Sequence, residues 1–326
     1  MTRKVNVLGV GMVKFQKPGA SDEYNVMAAG AIRAALKDAG VDFAQIEQAY
    51  AGYVYGDSTC GQRAVYEVGE TGIPVFNVNN NCSTGSSALM LGRQAIAGGL
   101  AECVLVVGFE QMEKGALAAK WSDRTNPLDR HANVMNEVQG FNNAPGAAQM
   151  FGGAGREYRW KYGTRRETFA KVAEKARKHA SQNPLALFQE TYSVEQILAS
   201  PDVFDPLTRY QCCPPTCGAA AAILCSDSFA KKLGASAPVY IAGQAMTTDY
   251  PSSFGEQSMI KMVGYDMAKR AADKVYAQAG LGPSDVQVIE LHDCFTTNEV
   301  LTYEALGLCK EGEAEQFIWD GNNTYG

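Results

Sequence analysis

Val75-Phe-Asn-Val-Asn-Asn-Asn-Cys82-Ser-Thr-Gly-Ser-Ser-Ala88 is the stretch from which the architecture can be read. Val75, Phe76 and Val78 predict a strand. The apolar run Ala88, Leu89, Leu91, Ala95 and Ile96, closed by Gly98 and Gly99, predicts a helix directly after it. Cys82 then sits at or next to the helix N-cap, where unpaired N–H groups and the positive end of the dipole favour thiolate over thiol. Two readings follow for this cysteine: a nucleophile at a strand-to-helix turn, or a small buried hydrophobe.

Composition narrows the setting. With 326 residues, 46% of them hydrophobic, the chain can bury a large core and form more than one folding unit. A net charge of −6 argues against general affinity for nucleic acid or anionic membrane. No run of 18 apolar residues occurs, so no membrane span is expected. The start, Met1-Thr-Arg-Lys then Val5 to Val10, reads as a first strand rather than a signal peptide. Nine irregularly spaced cysteines and no secretory leader point to reduced thiols of an intracellular enzyme. Cys212-Cys213 and Cys217 lack a second ligand pair, and His131, His179 and His292 are scattered, so no metal site is expected.

Working outward, residues 5–10 predict a strand and Tyr24 to Ala39 a helix stopped by Gly40. Gly9 and Gly11 begin a dinucleotide-like pattern, but Lys14 stands where its third glycine should be, and that motif is rejected. Ile46 to Tyr55 and Cys103 to Val107 are further strand regions, giving the alternation of a covered, mostly parallel α/β sheet. From Gly115 to about Leu207 strand signals thin out and an inserted, largely helical subdomain is expected. Within it, Arg156 to Lys178 holds nine Lys or Arg against three Glu, which is either a solvated helix face or a site for a phosphorylated ligand. Gly218 to Leu224 resumes the sheet, and Val239 to Ala245 is expected to start a new strand. Met267-Ala268, Ala271 and Ala279-Gly280 then match Met27-Ala28, Ala31 and Ala39-Gly40 at an offset of 240, which suggests two similar halves. The boundaries that follow are 1–114 and 208–236 for the first half, 115–207 for the insertion and 237–326 for a shorter, incomplete second half.

Val286 to Leu291 followed by His292-Asp-Cys294-Phe repeats the opening design, a buried strand and a polar turn ahead of a helix through Leu301, Ala305 and Leu306. Side chains at the C-terminal ends of parallel strands converge on ligands. A thiolate to attack, a thiol or imidazole to move a proton and a donor to hold an oxyanion make up acyl-transfer chemistry.

At these residues the chain resembles the thiolase superfamily, in particular its sterol carrier protein X branch. The resemblance is carried by Gly56-Asp-Ser-Thr-Cys-Gly-Gln62, Asn77-Val-Asn-Asn-Asn-Cys-Ser-Thr-Gly85, Gly218 to Ala222, Pro251-Ser-Ser-Phe254 and above all His292-Asp-Cys-Phe295. It implies a thiolase-like fold of two similar βαβ halves in α-β-α-β-α layers with a helical loop-domain insertion. It implies thiolysis of a 3-oxoacyl-CoA of branched-chain or sterol side-chain type, with coenzyme A as co-substrate and no bound cofactor. Cys82 would carry the acyl group, His292 would help form an oxyanion hole and Cys294 would act as acid/base. Met150 would line the acyl pocket, and Cys213 would lie near the pantetheine. Arg156, Arg165 and Arg166, in the loop domain, would meet the CoA phosphates. A homodimer is implied, with the Gly56 to Gln62 turn reaching the partner's site, in the peroxisome of a eukaryote or the cytoplasm of a bacterium. Two departures stand out: Cys217 replaces the usual Asp before the alanine run, and the chain stops at Gly326, before the family's Gly-His-Pro segment and final hairpin. The alternatives are a catalytically impaired acyl-CoA-binding or interaction protein, and an aldolase-like lyase.

Overall fold

A computed structural model describes residues 3–115, 117, 119–235 and 239–325 of the chain. The boundary expected at 236–237 and the last residue, Gly326, lie outside the described residues. The chain forms two compact units: Met1–Gly115 with Pro184–Leu187 and Pro215–Gln244, and Ala116–Asn183 with Phe188–Pro214 and Ala245–Gly326.

The first unit is built on a five-stranded sheet. β1 (Val5–Met12) leads to α1 (Tyr24–Ala39), β2 (Gln48–Gly52) to α2 (Cys60–Tyr66), and β3 (Val75–Val78) to α3 (Thr84–Ala97). β4 (Cys103–Glu110) and, after the insertion, β5 (Gly218–Ser226) complete a sheet of order β1-β5-β4-β2-β3. β2 pairs parallel with both β3 and β4, whereas β5 is antiparallel to β1 and β4. The sheet is therefore mixed rather than nearly all parallel. A helical crossover forces its two strands to run the same way. β1 to β4 obey that rule. β5 returns from a long excursion that imposes no direction, and it enters opposed.

Both faces of this sheet are covered, which explains why β4 is almost continuously apolar. Leu105, Val107, Ile223 and Ala51 pack beneath α1 and α2 with Ile32, Ala35 and Ala64. Val104, Val106, Leu224 and Tyr50 face the other way, onto Ala88, Ala95 and Ile96 of α3. Gly9 and Gly11 also find their explanation here. A Cβ on Gly9 would stand 2.3 Å from the Ala39 nitrogen, and one on Gly11 2.4 Å from that of Ala35. The glycines and the alanines of α1 let helix and strand backbones touch, a packing role with no nucleotide involved.

The second unit is mainly helical. α4 (Asp129–Gln139), α5 (Gly146–Tyr162) and α6 (Arg166–Ala180) come from the insertion, and α7 (Tyr265–Ala279), α8 (Thr296–Ala305) and α9 (Ala314–Trp319) from the C-terminal part. Tyr158, Phe169, Val172, Val300, Leu301 and Ile318 form its main core, to which both segments contribute, while Ala170, Ala173 and Ile197 form a smaller cluster within the insertion. Two expected strands differ from the sequence reading. Val239 to Ile241 lies along the edge of β1, with Val7 donating to the Val239 carbonyl at 3.1 Å and Ile241 to that of Val5 at 3.0 Å, but it makes a single bridge. Val286 to Leu291 has no ladder among the described residues, and Val288 is 72% exposed. Apolar β-branched sequence supplies the tendency to extend, while a strand exists only where a partner accepts its hydrogen bonds.

Candidate active site

Cys82 occupies a single 3-10 turn, Asn81–Ser83, between the C-terminal end of β3 and the start of α3. Asn81 adopts φ +48°, a left-handed conformation that asparagine tolerates better than most residues. Side chains compensate for the sharp reversal. The Asn80 N–H donates to Thr84 Oγ1 at 2.8 Å, and that hydroxyl donates to the Asn81 carbonyl at 2.6 Å. Ser83 Oγ donates to the Asn80 carbonyl at 2.8 Å, and Asn80 Nδ2 to Ser87 Oγ at 2.9 Å. The polar run that separates strand from helix in the sequence is thus the set of groups that holds the turn.

The turn presents Cys82 as an exposed thiol. Contrary to the expectation from the helix dipole, its pKa is raised, because neighbouring protein desolvates the sulfur more than its backbone hydrogen bond relieves it. The physical reason is position. Cys82 lies two residues ahead of the first residue of α3, so the helix terminus acts on it weakly. The resting side chain is therefore a thiol.

Behind the same end of the sheet, Glu110 accepts from the N–H groups of Val54 and Tyr55 at 3.0 and 3.2 Å and so fixes the exit of β2. Burial raises its pKa. A cavity of about 490 Å³ opens beside it, lined by Tyr24, Tyr55, Asp57, Cys60, Arg63 and Glu110 among others. The Gly56 to Gln62 turn singled out in the sequence forms one wall of this cavity. Cys217 is completely buried, its sulfur accepting from the Met112 N–H at 3.3 Å and donating to the Met112 carbonyl at 3.6 Å. The departure at that position is structurally satisfied.

His292, Cys294, Cys213 and Met150 belong to the second unit. His292 is exposed, with its pKa lowered by desolvation on its protein side, so it is a neutral imidazole at pH 7. Its carbonyl accepts from Asn298 Nδ2 at 2.6 Å. Cys294 is buried in a small cluster with Ala148, Leu207 and Phe295. The Cys213 N–H donates to the Cys294 carbonyl at 3.0 Å, and Cys212 bridges Phe295, so Cys213 and Cys294 lie opposite each other on adjacent antiparallel segments. Phe295 stacks on Phe151 at 5.2 Å, next to Met150 in sequence. Sequence spacing gave no hint that residues 212–213 and 294–295 meet.

The basic stretch is largely neutralised from within. Arg165 pairs with Glu315 at 2.8 Å and covers Trp319, while Arg166 pairs with Asp202. Arg156 donates to Gln139 Oε1 at 2.9 Å and lies over the Phe204 ring. Arg159, Lys161 and Lys175 pair with Asp205, Glu311 and Glu299. Arg177 sits against Phe188, Tyr192 and Tyr210. Most of these carboxylates lie far along the chain, which is why a local charge count could not find them. Among the described residues no group of three or more His, Cys, Asp or Glu could hold a metal ion, and no helix is long and apolar enough to cross a membrane.

The chain is similar to proteins of known family. The family model described as thiolase, N-terminal domain, matches residues 5–228, and thiolase C-terminal domain-like matches residues 252–326. Sterol carrier protein 2 of Oryctolagus cuniculus is 57% identical over 99% of this chain and 60% of its own length. Non-specific lipid-transfer protein-like 2 of Caenorhabditis elegans is 46% identical over 99% of this chain and 80% of its own length. Among solved structures, an Ltp2-ChsH2(DUF35) aldolase superposes with a TM-score of 0.80 at 25% identity, covering 98% of this chain and 81% of that one. Human mitochondrial 3-ketoacyl-CoA thiolase shares the fold, with a TM-score of 0.73 at 17% identity over 98% and 93%. The chain spans about 60% of the length of the sterol carrier protein relatives it matches.

Proposed function

This chain belongs to the thiolase family, and on that premise we propose that it transfers acyl groups by thiolytic cleavage of a 3-oxoacyl-CoA. The observation that carries this reading is the exposed Cys82 thiol on a turn braced by Asn80, Thr84 and Ser87 at the end of a parallel strand. The Cys82 thiolate adds to the 3-keto carbon and the C2–C3 bond breaks. The acyl group stays on sulfur, and the departing acetyl- or propionyl-CoA enolate takes a proton. The thiol of a second coenzyme A then attacks the thioester and restores Cys82. Cys294 is assigned the proton transfer and His292, neutral at pH 7, a hydrogen bond to the developing oxyanion. Met150 is assigned to the acyl pocket and Cys213 to the pantetheine. Arg156, Arg165 and Arg166 are assigned to the CoA phosphates, which would have to compete with Gln139, Glu315 and Asp202 for them.

The names of the sterol carrier and lipid-transfer relatives favour a branched-chain or sterol side-chain acyl group. β3 lies at the edge of its sheet with Phe76 exposed, which suits a homodimer formed across that edge. An intracellular location is proposed, peroxisomal in a eukaryote and cytoplasmic in a bacterium. The raised pKa of Cys82 favours a second reading, an acyl-CoA-binding protein without turnover. The aldolase neighbour raises a lyase as a third, against which the presence of both Cys82 and Cys294 argues. The test is iodoacetamide labelling with peptide mapping beside a thiolysis assay. Alkylation of Cys82 should abolish thiolysis, at a rate that climbs with pH as its raised pKa requires, and Cys82→Ala should be inactive yet folded. Thiolysis that survives complete labelling of Cys82 would overturn the assignment, and acyl-CoA binding without thiolysis would establish the second reading.

A further inference from the structure

Glu304, near the end of α8, is 5% exposed and has no task in the proposed acyl transfer. Its two oxygens are used unequally. Oε1 accepts from the Tyr158 hydroxyl, from the Gly312 N–H at 2.9 Å and from the Ala314 N–H at 3.3 Å. α5, α8 and the start of α9 thus meet on one atom, and the three bonds fix the carboxyl's orientation. Oε2 accepts from no group among the described residues, and protein does not seal it off. It faces a cavity of about 690 Å³ that Glu304 lines, a volume suited to a small molecule. A carboxylate oxygen is an acceptor only, so whatever meets Oε2 in that space must be a donor.

The walls narrow the choice of donor. Tyr265 and Tyr276 of α7, with Pro283 and Leu308, give the cavity rings and apolar surface. The Tyr276 hydroxyl is committed to the Leu306 carbonyl at 2.8 Å, whereas that of Tyr265 has no partner among the described residues. Four carboxyl groups line the space, those of Asp273, Glu304, Glu311 and Glu313, against the two lysines Lys269 and Lys310. Lys161 answers Glu311 at 2.8 Å, and Lys310 lies 4.0 Å from Glu313. Glu304 and Asp273 then share Lys269, and one negative charge is left over. We propose that this cavity is a binding site for an organic ammonium, a primary amine on an apolar body, whose N–H groups donate to Glu304 Oε2 and to the free Tyr265 hydroxyl. The body would lie against the tyrosine rings, where a cation also gains from the ring faces. A carboxylate ligand would meet the excess negative charge, and an alcohol would leave that charge unbalanced. In agreement, burial raises the Glu304 pKa against the hydrogen bonds from Tyr158, Gly312 and Ala314, which lower it. Its charge is poorly solvated, and a cation held at Oε2 is attracted more strongly than it would be in open water.

None of the residues assigned to acyl transfer lines this cavity, so the proposal stands apart from that reading. The full chain is titrated at pH 7 with phenethylamine, phenethyl alcohol and hydrocinnamate, three probes that share a phenyl ring and differ in the end group, and binding is followed by calorimetry in the wild type and Glu304→Gln. Glutamine keeps an oxygen for Tyr158, Gly312 and Ala314 and puts a neutral amide where Oε2 stood. The amine should bind saturably and more tightly than the other two probes, and Glu304→Gln should weaken it by about tenfold or more, the scale of a hydrogen bond between charged groups. No saturable binding of the amine, equal affinity for the alcohol or the carboxylate, or equal affinity of wild type and variant for the amine would overturn the proposal. If the variant does not fold, Cys309, which lines the same cavity, decides the matter in the wild type. The amine alone should slow its alkylation by iodoacetamide, whereas equal slowing by all three probes, or by none, would count against the site.

Discussion

Replacing Gly52 with alanine should damage the Cys82 turn from a distance of thirty residues in sequence. Gly52 is the last residue of β2, and a Cβ there would stand 2.8 Å from the Cγ2 methyl of Thr84 and 3.2 Å from its carbonyl oxygen. Carbon atoms in contact prefer about 3.5–4.0 Å, so the methyl must retreat by about 0.7 Å or more. Thr84 cannot do so by rotation alone, because it is β-branched and its hydroxyl is engaged by Asn80 and Asn81 on the Cys82 turn. The strain should appear as a stability loss of about 1–3 kcal/mol. Displacement of Cys82 by a sizeable fraction of an ångström should lower thiolysis, with ~100-fold as the scale for a full 1 Å error. Urea denaturation and steady-state thiolysis measure the two effects. The decisive comparison adds Thr84→Ser, which removes the offending methyl and keeps the hydroxyl. The double variant should recover more than half of the lost stability. Wild-type stability and turnover in Gly52→Ala, or no recovery in the double variant, would refute the steric argument.

Three further outcomes follow from particular side chains. Because desolvation raises the Cys82 pKa, its alkylation rate should climb with a midpoint above that of free cysteine, about 8.5; pH-dependent labelling with peptide mapping checks this, and a midpoint below 7 would contradict it. Leu105→Ala opens a hole in a site with no exposure beneath α1 and should cost about 2–5 kcal/mol in urea denaturation. Glu102 is held down to about 2 by Ser226, Ser228 and Arg3. That depressed value contributes stability above the ordinary glutamate range which is lost as pH falls toward 2, so Ser226→Ala should raise the Glu102 midpoint in an NMR titration and weaken acid resistance in the same window.

Much of the first unit was legible because its signals are local. The apolar residues of β3 and α3, the glycine stop after α1 and the alternation of strand and helix each lie within one window, and the structure places the elements accordingly. The direction of β5 was not legible, since no crossover ties it to its neighbours. The strand expected at 286–291 failed for a related reason: its sequence supplies the tendency to extend but has no say in whether a partner lies alongside. The basic stretch shows the same limit in electrostatics. Nine positive charges within 23 residues invite a phosphate, yet Glu299, Glu311 and Glu315 answer three of them from more than a hundred residues away.

The sequence by itself determined the family to which the chain belongs and the kind of turn on which its candidate residues stand, Cys82 between a strand and a helix and His292 and Cys294 just ahead of another helix. The tertiary structure alone decided their ionisation and support. Whether the Cys82 thiol is raised or lowered depends on how much protein desolvates it. That the Asp293 pKa is raised follows from its burial and from the Glu299 charge that α8 brings beside it. A pKa is set by neighbours in space, and spacing along the chain does not encode neighbours that only folding brings together.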